Sequence, residues 1–159
     1  MKKVNNLSLC IAMSLMMVPM VAHAAGDDTT YVKVNSHAAP ASVDSAADGA
    51  IAIGPNAKSN SMHNIAIGLS SNSEANAVNS IAIGSNAHNI SGDTEQIAIG
   101  SGATSSRQGS IAIGSAANAE YQSNAIGFRT RAANQGTALS NNAAATGTQS
   151  LALVSEAQA

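Results

Sequence analysis

One tetrapeptide limits what this chain can become. Ile-Ala-Ile-Gly occurs at Ile51–Gly54, Ile65–Gly68, Ile81–Gly84, Ile97–Gly100 and Ile111–Gly114, and weaker copies follow at Asn124–Gly127, Thr137–Ser140 and Leu151–Val154. The fourth position of the motif returns after 14, 16, 16, 14, 13, 13 and 14 residues. That period is too long for a heptad and too short for helix-pair repeats, so each repeat corresponds to one turn of a β-solenoid.

Alternation describes the turn. Side chains on a strand point to opposite faces with period 2, so the two isoleucines share one face and the alanine takes the other. The expectation is that isoleucine forms the core, while the thin alanine face lets a second rod approach. A second alternation follows each glycine. Positions plus three and plus five carry small residues, as in Ala57 and Ser59 or Ala103 and Ser105, and plus four carries Lys58, Asn72, His88, Thr104, Asn118, Arg131 and Ala144. This predicts a second short strand whose plus-four residue faces water, with the glycine in a conformation that a Cβ resists. About eight coils at about 4.8 Å each give a rod of about 35 Å. Two aliphatic side chains per coil bring about 1.5 to 3 kcal/mol apiece, against about 1 to 2 kcal/mol for ordering each backbone residue. A single thin rod is therefore marginal, and association with copies of itself is expected.

Composition narrows the function classes. The 159-residue chain is 45% hydrophobic, but the share is made largely of Ala, and Phe128, Tyr31 and Tyr121 are the only aromatics. No conventional aromatic core can form. A formal charge of −2 without a basic block argues against nucleic acid, which is held by clustered Lys and Arg. Lys2 and Lys3 precede an apolar run, Leu9 to Val21, that closes in Ala22-His23-Ala24, the pattern of a signal peptide over residues 1–24. The run is shorter than the roughly 20 residues of a spanning helix, so no membrane span is expected in the mature chain. Cys10 falls inside the signal, leaving the chain from Ala25 without cysteine and with 5 basic against 9 acidic side chains.

The blocks Asn79-Ser80-Ile81-Ala82-Ile83-Gly84-Ser85 and Gly109-Ser110-Ile111-Ala112-Ile113-Gly114-Ser115, each followed by spaced small residues, resemble the head repeats of YadA-like trimeric autotransporter adhesins. Tyr31-Val32-Lys33-Val34-Asn35-Ser36 resembles the lead-in to such heads. The resemblance spans about Tyr31 to Val154. It implies an all-β, left-handed parallel β-roll that forms a homotrimer at the cell surface or outer membrane of a Gram-negative bacterium and binds host extracellular matrix protein such as collagen. The corresponding organisation is a signal peptide at 1–24, a leader strand and lead-in at 25–50, head repeats at 51–154 and a tail at 155–159. Neck, heptad stalk and C-terminal barrel strands are not seen, so the expectation is either a truncated or split adhesin, reaching the periplasm on its own, or a head module used in another way.

Collagen binding in the family is associated with the repeated Asn-Ser-aliphatic-Ala-aliphatic-Gly motif. The resemblance therefore places candidate ligand-binding residues at Asn79, Ser80, Ile81, Ala82, Ile83 and Gly84, and, without the Asn, at Ser110, Ile111, Ala112, Ile113 and Gly114. Two other readings stand beside adhesion: a non-adhesive exported structural module and a left-handed β-helix acyltransferase. The latter repeats every six residues, a phase that does not survive across two repeats here. No catalytic, cofactor or metal residues are assigned. His37, His63 and His88 occupy unrelated repeat positions and read as loop histidines. Asp93 and Glu95 read as solvating charges. Arg129 and Arg131 alternate beside Phe128 and suggest either a solvated strand or a small anion contact.

Overall fold

Each repeat folds into two short strands joined at its glycine. The computed structural model describes residues 32–34, 42–43, 48–74, 77–90 and 93–159; the expected signal peptide at 1–24, Cys10, Tyr31 and His37 lie outside them. Sheet A stacks β1 (Val32–Val34), β3 (Ile51–Ile53), β5 (Ile65–Ile67), β7 (Ile81–Ile83), β9 (Ile97–Ile99), β11 (Ile111–Ile113), β13 (Asn124–Ile126), β15 (Thr137–Leu139) and β17 (Leu151–Ala152) in that order. Sheet B stacks β2 (Ser42–Val43), β4 (Lys58–Ser59), β6 (Asn72–Ser73), β8 (His88–Asn89), β10 (Thr104–Ser105), β12 (Asn118–Ala119), β14 (Arg131–Ala132) and β16 (Ala144–Ala145). All pairings are parallel and bring identical motif positions together, as in Ile81↔Ile97, Ala82↔Ala98 and Ile83↔Ile99. The result is an all-β solenoid of about seven turns with no helix among the described residues.

The interior belongs to alanine and serine. Ala52, Ala66, Ala82, Ala98, Ala112, Ala125 and Ala138 are fully buried, and so are Ala57, Ser59, Ser71, Ser73, Ala103 and Ser105 from the opposing strands. The isoleucines flanking each alanine are only partly buried. This corrects the expected assignment of faces: alanine lines the core and isoleucine points outward. The reason is thickness. Each coil is closed by short turns that hold its two strands so close together that inward side chains from both sides must be small. Isoleucine gains its partial burial by stacking on isoleucine in the coils above and below.

Two turns close each coil, and both use the left-handed region. After the motif glycine, the second residue takes positive φ, as in Asn56 (55°), Ser70 (54°), Asn86 (56°) and Arg129 (53°). The amide of the third donates back to the glycine carbonyl, as from Ala57 to Gly54 at 3.2 Å. With Pro55 at the second position this matches a type II turn. The glycine itself is required: Gly84 has φ of 131°, and a Cβ there would lie 2.6 Å from the carbonyl oxygen of Gly100 in the next coil. The second turn, before each Ile-Ala-Ile, absorbs the variation in repeat length, and its left-handed residue stands two places before the motif, as in His63, Asn79, Glu95 and Gln122.

Ala82→Leu is expected to lower stability by about 1 to 3 kcal/mol or more, because the closed coil has no room for the added methylenes. Lys58→Asp, on the exposed outer face, is expected to stay within about 0.5 kcal/mol of the parent. Thermal unfolding followed by circular dichroism compares the two directly, and similar damage from both would contradict an alanine interior.

Candidate functional site

The candidate ligand-binding residues divide by direction. Asn79 is exposed at the variable corner with φ of 59°, a conformation that asparagine tolerates better than most residues. Its Oδ1 lies 3.1 Å from Nδ1 of His63, which holds the same corner one coil earlier. Ser80 is fully buried and clips three coils together. Its amide donates to Asn64 Oδ1 at 2.9 Å, and its Oγ accepts the amide of Gln96 at 3.0 Å. Ser110, also buried, hydrogen-bonds through Oγ to Ser105 Oγ and the Arg107 carbonyl. Ala82 and Ala112 are core residues, and Gly84 and Gly114 belong to the glycine column. Of this set Asn79 is exposed, the isoleucines and the two glycines are partly buried, and the serines and alanines are fully buried.

Ile81, Ile83, Ile111 and Ile113 lie on one outward face of sheet A, with Ile97 and Ile99 of the intervening coil between them. The face runs the length of the rod. It begins at Ile51 and Ile53 and ends in Ile126, Leu139 and Leu151, of which Ile126 (39%) and Leu151 (58%) are the most exposed. The sequence reading brought these residues together correctly in register but placed them inside the molecule.

Sheet B presents a different surface. Its outward residues form one column, in which Lys58, Asn72, His88, Thr104, Asn118 and Arg131 are paired step by step. His88 Nε2 lies 2.7 Å from Glu74 Oε1, and Asn72 Nδ2 reaches both His88 Nε2 at 3.3 Å and Glu74 Oε1 at 3.4 Å. His63 and His88 stand on different edges of the coil, and no three His, Cys, Asp or Glu side chains converge among the described residues. Arg131 is on strand β14, but Arg129 is in the glycine turn, its guanidinium carbon 4.8 Å from the centroid of the Phe128 ring.

A glutamine ladder went unrecognised in the sequence. Gln135 Nε2 donates to Gln122 Oε1 and Gln149 Nε2 to Gln135 Oε1, both at 3.2 Å. The signal was available: all three glutamines stand two places before their motif, the column shared by His63 and Asn79.

The stacking of small-residue coils behind an aliphatic outer ladder defines the class of the chain, a parallel β-solenoid. The model of the YadA head domain repeat matches residues 45–71, 65–87 and 97–117. Over those stretches the chain is similar to YadA head repeats, a non-enzymatic adhesin domain family. Comparison with curated proteins and with solved structures gives no significant match. No helix among the described residues is long and apolar enough to cross a membrane.

Because Ser80 supplies the acceptor for a buried amide, Ser80→Ala should cost about 1 to 3 kcal/mol. Asn79→Gly, which keeps the left-handed backbone, should be close to neutral. Urea unfolding of the two variants measures the difference.

Proposed function

We propose that this chain is the head of a surface-displayed bacterial adhesin, exported through a signal peptide, which assembles as a homotrimer through its isoleucine face and binds host matrix protein such as collagen. The observation that carries the reading is that face. Soluble monomers rarely expose a long contiguous apolar strip, and such strips mark association surfaces. Here the strip repeats in every coil from Ile51 to Ile113 and fits a closed assembly of identical rods. The similarity of the repeats to YadA head repeats supports the same assembly and adhesion.

With the isoleucines turned toward partner copies, ligand contact falls to the corners and to sheet B. Within the candidate set Asn79 is the exposed side chain that can touch a ligand directly. The buried Ser80, Ala82, Ser110 and Ala112 act through the shape of the roll. Three rods side by side present each corner three times in every coil, so many weak contacts combine by multivalency.

The mature chain should have the mass of three chains in multi-angle light scattering at micromolar concentration. Ile83→Asp should give a folded monomer with an unchanged circular dichroism spectrum, since residue 83 faces outward. The parent should be retained on immobilised collagen and the monomeric variant at least tenfold more weakly. A folded monomeric parent would remove the assembly reading, and a trimer that ignores collagen, fibronectin and laminin would remove the adhesion reading.

A further inference from the structure

The inner corner beside the variable turn is built differently in short and long coils. There the fifth residue after the motif glycine faces the residue just before the next motif. Where the two stand five apart they bond directly: Ser59 Oγ donates to the Asn64 carbonyl at 3.1 Å, and Ser105 Oγ to the Ser110 carbonyl at 2.9 Å. Ser73 and Ser80 stand seven apart, as do Asn89 and Gln96, and no side-chain bond joins either pair among the described residues. Ser80 Oγ donates instead to the Val78 carbonyl at 3.4 Å, and Gln96 Nε2 to the Ile90 carbonyl at 3.0 Å.

Unpaired polar atoms collect inside these two longer corners. Ser73 Oγ, Asn89 Nδ2 and Oδ1, Gln96 Oε1 and Asn64 Nδ2 have no hydrogen-bond partner among the described residues, and all four side chains are fully buried. Register makes them neighbours. Ser73 pairs with Asn89 in the adjacent coil. Asn64 Oδ1 accepts the Ser80 amide at 2.9 Å, which carries the Asn64 amide group to the corner of Ser73 and Ser80. Ser80 Oγ accepts the amide of Gln96 at 3.0 Å. The cluster ends where the turns shorten: the next partner of Asn89 is Ser105, already bonded to Ser110, and the column continues as Ala119, Ala132 and Ala145.

A buried amide or hydroxyl left without a partner is costly, and native interiors pair nearly all such groups with protein or with ordered water. We infer that the two longer corners form a binding site for internal water, which stands in for the cross-turn bonds that the short coils make directly. Donor and acceptor character selects the ligand. Asn64 Nδ2 and Asn89 Nδ2 can only donate, which disfavours a bare cation, while Asn89 Oδ1 and Gln96 Oε1 can only accept, which disfavours an anion. Water does both, and so does Ser73 Oγ. A buried water makes about three hydrogen bonds, so these atoms call for about two waters. The waters support from beneath the two turns that carry Asn79 and Glu95. The inference rests on the interior of one rod and is independent of adhesion and of assembly.

A crystal structure of the full chain tests this directly. Ordered water is expected within hydrogen-bond distance of Asn89 Oδ1 and Gln96 Oε1, and none between Ser105 and Ser110. In solution, oxygen-17 relaxation dispersion counts the waters held for longer than the tumbling time. Asn89→Leu, close in volume and apolar, should remove at least one of them per chain with unchanged circular dichroism, whereas Ser105→Ala, in a short coil, should leave the count as it is. Side chains that close the longer corners on each other without water, an ion or organic molecule in their place, or a folded Asn89→Leu with the parent's count would each overturn the proposal. Should Asn89→Leu fail to fold, the crystal structure of the parent decides alone. A failure to retain collagen would leave this result standing.

Discussion

The thinness of the coil governs everything else in this molecule. Two strands joined by a four-residue turn at the glycine and a short variable turn opposite leave an interior one small side chain deep from each side. Alanine and serine satisfy that space, and two of the larger buried groups, Asn89 and Gln96, occur in a coil with a longer turn. Burying alanine releases little hydrophobic free energy per residue. Cohesion therefore depends on the continuous parallel hydrogen-bond ladder, in which almost every strand amide and carbonyl is satisfied by a neighbouring coil, and on aliphatic stacking outside. A repeat protein of this kind is stabilised along its axis by neighbours rather than by a central core.

The same thinness explains why part of the fold was legible in the residues and part was not. Period, strand count, parallel register and the special role of the motif glycine all follow from the recurrence of Ile-Ala-Ile-Gly. So does the outward direction of Lys58, Asn72 and Arg131, because the small residues on either side of them alternate with polar ones. Alternation alone does not say which face of the first strand is inside. Hydrophobicity favoured isoleucine, but the two strands of one coil face each other, and small residues at plus three and plus five leave room only for something equally small opposite. The pairing of Ala57 and Ser59 with Ala52 carried the answer. Ser80 and Ser110 were legible as motif members but not as buried clips, because their role depends on which carbonyl or amide the neighbouring coil presents.

The division between turns has a functional side. The glycine turn is the same length in each repeat and is locked by the near contact of successive glycines, so it repeats the same geometry along the rod. The opposite turn ranges from tight, as at Gln122, to longer loops before Ser80 and Gln96, and it carries the chemically varied residues His63, Asn79 and Glu95. Changes in that turn leave the hydrogen-bond register of both sheets intact. Surface diversity can therefore accumulate at one corner without disturbing the stack, which is the arrangement expected of a scaffold whose recognition residues vary while its rod does not.

An outward aliphatic ladder also separates folding from assembly. If isoleucine were the core, a polar substitution there would abolish both together. With alanine inside and isoleucine outside, the proposed assembly would let one rod form its ladder first and then bury its strip against identical rods, the free energy of the second step adding to the first by mass action. The strip becomes more exposed toward β13 and β17, where asparagine and threonine replace isoleucine at the first motif position and Leu151 stands uncovered. In the proposed assembly the contacts fall over the coils from β3 to β11, the same stretch in which the motif is unbroken. A contact on the outer face would account for the recurrence of isoleucine there, since the interior requires only alanine.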